Sequence, residues 1–588
     1  MHEPRGKPLH NDAVPAAEDP VANRDLPRGR QETAYPADPF VRYAGRFARP
    51  ITALRDELRE HQSDPAAVSR GLGLPAAAGQ GPASFFADLS APHGRRHVRV
   101  CGAAACFAAS GGQHVAAVEA ALGIAVGSRS DDGAVSLQEV RCLGYCFSGP
   151  AALDGGDACA GIDVASQLRD SSRRRSPSIP VQCDAPVPVV TAGLLGGSQP
   201  WSVWPGIVAA GASGDVLAQV ESAGLRGRGG AGFRAAAKWR AALAHPGPRI
   251  VVANGDEGDP GSYADRLLME RDPHRVLEGL ALACYAVGSA TGIVFVRSEY
   301  PQAVERLQEA VREAISAGHL GPDAEGAGFS LEVRVVEGAG SYVSGEETAL
   351  LNGLEGARGV VRPRPPYPTE RGLHGRPTVV NNVETLSAVP WIVQHGGQAY
   401  AALGTADEPG TLLVCLSERF RRPGAYEVEI GTPLRHVVED LGGGLRDGAA
   451  LRALQIGGPL GGFLGPGDLD VRLSESALSG FGAALGHAGI VAFDDRVSGE
   501  DVLRNLWDFA AAESCGQCSP CRVGSWRGRA LADVHGPAAR RERAAVLRTM
   551  ASGSLCAFGR RVPAAVRSLV RVYGLDGWSD AWPDGRTP

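Results

Sequence analysis

Glu513-Ser-Cys-Gly-Gln-Cys-Ser-Pro-Cys-Arg-Val-Gly524 sets three cysteines at two-residue intervals, and Cys556 follows in Ser554-Leu-Cys-Ala-Phe-Gly559. A C-x2-C-x2-C run lets three thiolates from one turn surround a cubane while a distant fourth closes it, the pattern of a [4Fe-4S] site. A structural zinc on four cysteines is the alternative, although zinc more often uses two separated C-x2-C pairs. Only twelve cysteines occur in 588 residues, and Cys101, Cys106, Cys142 and Cys146 form a second grouping of one x4 and one x3 pair. Each pair can hold one iron of a [2Fe-2S] centre, with zinc again the alternative. Cys159, Cys183, Cys284 and Cys415 have no partner spacing and read as ordinary buried or incidental residues.

With 44% apolar and 21% charged residues, the composition is that of a folded protein of several domains. A net charge of -6 with interspersed signs offers neither a basic nucleic-acid surface nor a membrane-binding face. The most hydrophobic window, Val276–Val296, contains Glu278 and is split by Gly288 and Gly292, so it reads as a buried helix then a buried strand rather than a membrane span. Met1–Asp38 lacks an apolar signal region, and a reducing cytoplasmic location is expected, where clustered cysteines serve as metal ligands.

The fold class expected is multidomain, α/β and α+β. Residues 1–44 read as a disordered tail. Residues 45–168 form a small α/β [2Fe-2S] domain, with helical spacing in Ile51–His61 and His114–Ile124 and a strand over Arg96–Gly102 that delivers Cys101 to its end. A polar, Arg- and Pro-bearing linker spans 169–185. A large α/β domain covers 186–395, with buried strands in Arg249–Glu257 and Thr291–Tyr300 whose C-terminal ends are suited to ligands. Short strands around one helical piece, Pro433–Gly443, suggest a β-grasp (ubiquitin-like) domain over 396–490. Helical periodicity carries 491–588, and no internal repeat is evident.

Gly227-Arg228-Gly229-Gly230-Ala231-Gly232 matches G-x-G-x-x-G, but a helix rather than a strand precedes it, so the ordinary Rossmann context is missing. A flexible glycine loop is the bland alternative. The helix that follows can bring its N-terminus, the glycine backbone and Lys238 to a phosphate or a flat cofactor. Asn254, Asp256, Glu257 and Asp259 form one polar cluster and Glu346 and Glu347, after Gly345, another; either they are solvated loops or they accept ribityl and ribose hydroxyls. Asn381 and Asn382 could serve the same polyol, and Tyr342 and Phe233 could wall a flat ring or sit in the core.

Gly224–Phe233, Asn254–Arg266, Gly340–Leu350, Pro377–Leu386, Glu513–Gly524 and Ser554–Gly559, in this order, resemble the NADH-binding flavoprotein subunit of respiratory complex I and its relatives in NAD-reducing hydrogenase and NAD-dependent formate dehydrogenase. Cys142–Pro150 and the cysteine pairs around it resemble the thioredoxin-like [2Fe-2S] subunit of the same module. The resemblance implies non-covalent FMN held by Gly227, Arg228, Gly229, Gly230, Lys238, Asn254, Asp256, Tyr342, Gly345, Glu346, Asn381 and Asn382. It implies NAD(H) stacked near Gly229–Phe233, with Ala231 and Gly232 in that loop and Glu257, Asp259 and Glu347 around the ribose and nicotinamide; Glu257 and Glu347 are the catalytic candidates. It also implies a [2Fe-2S] centre on Cys101, Cys106, Cys142 and Cys146 and a [4Fe-4S] cluster on Cys515, Cys518, Cys521 and Cys556. The activity implied is that of a diaphorase: hydride exchange between NAD(H) and FMN, then single electrons through iron-sulfur clusters. The main route would leave by the [4Fe-4S] cluster, with the [2Fe-2S] centre as a side branch.

Several positions depart from the usual family pattern. The motif F-P-T-G-x-K-W here reads Phe233-Arg-Ala-Ala-Ala-Lys-Trp239, Ala241 replaces a Phe, Asp259 a Glu, Arg364 a Lys and Tyr367 a Phe. Asp259, Ala241 and the segment Ser479–Asp495 are most similar to formate dehydrogenase β subunits. Partners implied are iron-sulfur and molybdopterin subunits, with a Ni-Fe hydrogenase or complex I as alternatives and a flavin-free docking scaffold as a different class. No nucleic-acid partner and no membrane span are expected.

Overall fold

The computed structural model describes residues 64–575 and 578, apart from 72–74, 91–92 and 175–176. The expected tail and the helical spacing at Ile51–His61 lie outside the described residues.

The first sheet has strand order β2-β1-β3-β4, made of β1 (Arg96–Cys101), β2 (Val135–Val140), β3 (Ala151–Asp154) and β4 (Asp157–Ala160). β1 and β2 run parallel, and a parallel pair needs a crossover. Helices α1 (Ala104–Ser110) and α2 (His114–Leu122) lie in that crossover. Val98, Val100, Val118 and Leu137 fill the core between these elements. Cys101 closes β1, the strand expected over Arg96–Gly102.

The stretch read as a linker is not a bare tether, since it contains β5 (Val181–Cys183). The second sheet comprises β6 (Ile250–Gly255), β7 (Thr291–Val296), β8 (Gly321–Ala324), β9 (Phe329–Glu337) and β10 (Thr378–Asn382), in the order β10-β6-β7-β9-β8. All but β8 are parallel; β6, β7 and β10 are buried almost throughout, as strands covered on both faces are, while β9 alternates buried and exposed residues. The covering helices are α3 (Ser213–Ser222), α4 (Ala235–Leu243), α5 (Ala264–Arg271), α6 (Pro273–Val287), α7 (Pro301–Ser316), α8 (Glu347–Leu354) and α9 (Val383–Ser387). The hydrophobic window Val276–Val296 thus resolves into α6 and β7, with Gly288 at φ 65 ending the helix. Register pairs Asn254 with Asn382, so the polar ends of β6 and β10 stand side by side.

A third sheet joins β11 (Thr411–Leu416), β12 (Gly424–Glu429), β13 (Leu451–Ile456), β14 (Gly462–Leu464) and β15 (Gly489–Asp494) in the order β14-β13-β15-β11-β12-β5. Leu412, Val414, Leu454 and Ile490 pack on one face as a separate core. β5 adds the edge by pairing parallel with β12, a contact too short and too distant in sequence to show as periodicity. β15 also crosses the boundary expected at residue 490.

Four helices complete the described chain: α10 (Gly499–Glu513), α11 (Ser519–Ala530), α12 (Pro537–Gly553) and α13 (Ala557–Tyr573). A Cβ at Gly528 would stand 2.3 Å from the Trp507 ring, so glycine is what lets α11 approach α10. Among the described residues no helix is long and apolar enough to cross a membrane.

Candidate functional site

Cys515 and Cys518 lie in the loop between α10 and α11, Cys521 in the first turn of α11, and Cys556 at the N-terminal cap of α13. All four line one small recess, closed by Val343, Val361 and Phe558. Burial pushes the Cys556 thiol up to about 11 and raises Cys521 as well, so protons must leave before these sulfurs bind metal. A Cβ at Gly559 would reach within 2.8 Å of Cys521 Cβ, which reserves the space beside the sulfurs. The donor set and the apolar walls fit a cubane.

The second set is wholly buried. Cys142 Sγ and Cys146 Sγ are 3.5 Å apart. A hydrogen bond from Cys106 brings the Cys101 thiol down to about 7, and the same bond with burial pushes Cys106 up; Cys146 is raised in the same way by Cys142. Cys101 is thus readily ionised, and metal binding releases the protons that Cys106 and Cys146 retain. Cys142 takes a left-handed backbone, φ 78, which places strain at a ligand position. A Cβ at Gly149 would lie 3.1 Å from Cys106 Sγ, so glycine keeps that side open.

Both cysteine sets touch loops of the second sheet. Gly261 N donates to Cys146 Sγ at 3.3 Å, Arg297 Nη2 donates to Cys142 O at 3.0 Å, and Arg266 Nη1 donates to Gly144 O at 3.0 Å while lying 3.8 Å from the Tyr145 ring centroid. On the other side, Tyr342 N donates to Glu513 Oε2 at 2.9 Å, and its ring packs edge-on against Phe509 at 4.9 Å. The loops that adjoin the two sets, around Gly261 and Tyr342, are themselves the candidate cofactor loops.

Between them lies the cluster of sequence candidates. Gly229 sits against Asn382, where a Cβ would meet the Asn382 Cβ at 2.9 Å, and a Cβ at Gly258 would enter the Tyr342 ring at 2.6 Å. Gly230 and Gly232 adopt positive φ, and Gly227 N is paired with Phe233 O at 2.9 Å, closing Gly227–Phe233 into a compact turn that includes Ala231. Phe233 is 58% exposed, free to cover a ring rather than part of the core. Lys238, on α4, reaches Glu347 Oε2 at 2.9 Å and Val380 O at 3.0 Å. Asn254 Nδ2 donates to Gly345 O at 2.8 Å, and Asn381 Oδ1 accepts from Trp239 Nε1 at 2.8 Å. Glu346 caps α8 through Thr348 N and Ala349 N. Its Oε1 is buried with no hydrogen-bond partner, 3.4 Å from Arg364 Nη2, an acceptor open to a hydroxyl. Burial pushes Asp256 up to about 8 against the pull of Arg297, with Glu299 and Glu513 adding to the rise. The glycine cradle, the open acceptor and the cation fit a phosphate-bearing flat cofactor.

Two expectations are corrected. Arg228 turns into the core, donating to Tyr400 Oη at 2.9 Å and Thr411 O at 3.0 Å, so it anchors the loop to the third sheet instead of meeting a phosphate. Glu257 is fully buried, accepting from Ser262 Oγ at 2.6 Å, Asp265 N at 3.2 Å and Arg266 N at 3.1 Å, which caps α5 and leaves no oxygen for a sugar. Two residues outside the expected set, Asp265 and His487, also enter the site. Asp265 accepts from Asn382 Nδ2 at 2.6 Å, and His487 lies 3.8 Å from Asp259. Only the charge of Asp265 inside Asn254–Arg266 hinted at such a role.

Comparison with known proteins agrees with this geometry. Residues 220–391 match the Nuo51 FMN-binding domain, 60–166 the thioredoxin-like [2Fe-2S] ferredoxin, and 501–576 the NADH-ubiquinone oxidoreductase-F iron-sulfur binding region. An F-type NADH-quinone oxidoreductase subunit of Rhizobium meliloti (strain 1021) is 42% identical over 311 residues, covering 53% of this chain and 74% of that protein. NADP-reducing hydrogenase subunit HndC of Solidesulfovibrio fructosivorans is 42% identical over 314 residues, 53% of this chain and 64% of its own. The crystal structure of an NAD+-reducing [NiFe]-hydrogenase in the H2-reduced state superposes with a TM-score of 0.81 at 30% identity, covering 91% of this chain and 94% of that one. The chain belongs to the family of NADH-oxidising flavin and iron-sulfur subunits that includes the F-type subunits of NADH-quinone oxidoreductase, with regions for FMN, NADH, one [2Fe-2S] centre and one [4Fe-4S] cluster.

Proposed function

We propose that this chain is the diaphorase subunit of a cytoplasmic NAD-dependent formate dehydrogenase, exchanging hydride between NAD(H) and FMN and single electrons with molybdopterin and iron-sulfur partner subunits. The observation that carries the diaphorase reading is that both cysteine sets stand against candidate cofactor loops, Cys146 Sγ accepting from Gly261 N and the Cys515, Cys518, Cys521 and Cys556 recess being lined by Val343 beside Tyr342. FMN supplies the conversion between a two-electron hydride and single electrons. The Gly227–Gly232 turn, Lys238, Asn254, Asp256, Tyr342, Gly345, Glu346, Asn381 and Asn382 would hold it. Phe233, Asp259 and Glu347 would orient the dinucleotide, with Arg228 and Glu257 bracing the site from behind. The formate dehydrogenase choice rests on Asp259, Ala241 and the segment Ser479–Asp495.

The likeness to the hydrogenase structure across both halves of the chain favours a second reading, a hydrogenase diaphorase. Purification of the intact complex followed by metal analysis separates the two: molybdenum or tungsten with NAD-linked formate oxidation supports the first, nickel with hydrogen oxidation the second. A purified chain with no flavin absorbance and no NADH-driven dye reduction would remove both.

A further inference from the structure

His487 lies in the segment Ser479–Asp495, outside the six motifs that carry the family resemblance, and it reaches from the loop before β15 to the carboxylates that brace the candidate flavin site. It precedes β15, and the residue before it lies against the glycine turn, where a Cβ on Gly230 would be 3.9 Å from Gly486 Cα. The His487 side chain is 14% exposed, its Nε2 is 3.8 Å from Asp259 Oδ2, and its ring meets the carboxylates of Glu257 and Asp265 in a group whose polar atoms all lie within 4.8 Å of one another.

Each of these carboxylates also holds part of the site. Asp259 accepts from Tyr342 Oη at 2.6 Å, and Asp265 accepts from Asn382 Nδ2 at 2.6 Å and Glu384 N at 2.9 Å. Glu257 accepts from Ser262, the start of α5 and Tyr300 Oη, the last at 3.3 Å. Beyond them, Glu384 faces Asp265 and is itself pushed up to about 8 by burial, with Arg228 opposing and Glu427 and Glu257 adding. Among the described residues no Lys or Arg side chain forms a salt bridge with Glu257, Asp259 or Asp265. One imidazole thus faces three carboxylates in a poorly hydrated space, where charge interactions are strong. Burial alone would lower the His487 pKa, but Asp259, Asp265 and Glu257 together raise it; burial and Glu257 likewise raise Asp265 far above the carboxylate range.

A hydride delivered beside this cluster adds negative charge, and the least costly response is to bind a proton. We propose that His487 is a positioning residue through which the Glu257, Asp259, Asp265 and His487 cluster couples one extra proton to the two-electron reduction of the bound FMN. NADH supplies two electrons and one proton as hydride and leaves as NAD+. Water supplies the second proton, which the cluster holds. Both protons return to water as the electrons depart singly to the iron-sulfur centres. This rests on the flavin site assigned above.

The test is the FMN midpoint potential of the holoprotein, followed spectroscopically in a redox titration from pH 6 to 9. A hydride-equivalent reduction binds one proton per electron pair, a tenfold change in K per pH unit or ~30 mV. The wild type is expected to show about twice that slope, ~60 mV per pH unit, over part of the range above neutrality. His487→Gln should lose the added component, and Asp259→Asn should move its onset to lower pH. A wild-type slope that stays at the hydride value from pH 7 to 9 overturns the proposal, whatever the variants do. So does a steep slope that survives in flavin-loaded His487→Gln. A wild type purified without flavin would instead reject the diaphorase reading.

Discussion

Lys238 Nζ stands 2.9 Å from Glu347 Oε2, while Arg364 Nη1 holds the other carboxylate oxygen at 2.7 Å. The clamp ties α4 to the start of α8 across the candidate dinucleotide path. Burial would raise the Glu347 pKa, but Lys238 and Arg364 outweigh it and hold the carboxyl below its ordinary range. Lys238→Ala and Glu347→Gln are expected to lower NADH-dependent dye reduction about tenfold or more, equivalent to ~1.4 kcal/mol in the barrier. Electron paramagnetic resonance of the clusters should be unchanged. Because the folded pKa is depressed, the stabilisation is complete above the ordinary value of 4.5 and is lost as pH falls through the folded value, so Glu347→Gln should narrow the stability gap to wild type on acidification.

Cys515→Ala removes one of four sulfurs lining a single recess. Loss of the [4Fe-4S] signal with retention of the [2Fe-2S] signal is the expected spectrum, and iron content should fall by about four per chain. Retention of both signals would place the cubane elsewhere.

Gly261 has φ 105, and a Cβ there would stand 2.9 Å from Val491 Cγ2 and beside Gly489. Gly261→Ala combines backbone strain with overpacking, a cost of about 2 kcal/mol. It also shifts the N–H that donates to Cys146 Sγ. Thermal unfolding should occur earlier, and the [2Fe-2S] midpoint should fall because a hydrogen bond to a ligand sulfur stabilises the reduced, more negative centre.

Asp256 is raised to about 8 by burial, so the folded chain retains a proton there that the unfolded chain loses near 3.8. The stability tied to that proton is complete below the unfolded value and is lost as pH rises through about 8. Asp256→Asn removes the titration, so its melting temperature relative to wild type, measured without added flavin, should rise between pH 5 and 9. A difference independent of pH would remove Asp256 from this account.

Sequence spacing determined a good deal of this protein. The intervals around Cys515 and Cys101 fix which sulfurs can share a metal because ligands a turn apart are placed by local backbone geometry. Apolar runs ending in polar residues located the ends of β6 and β7 for the same reason, since a run of buried residues is a local property, whereas β10 went unread. Tertiary structure alone decided which polar groups face a ligand. Arg228 and Glu257 carry the same charges as a phosphate-binding Arg and a ribose-binding Glu, but contacts with Tyr400 and with the start of α5 turn them inward. His487 and Asp259 are more than two hundred residues apart, and β5 meets β12 across a similar span. No periodicity within either partner encodes such meetings, because they depend on how three sheets pack, and the ESCGQCSPCRVG run that named the metal could not say which loops would stand against it.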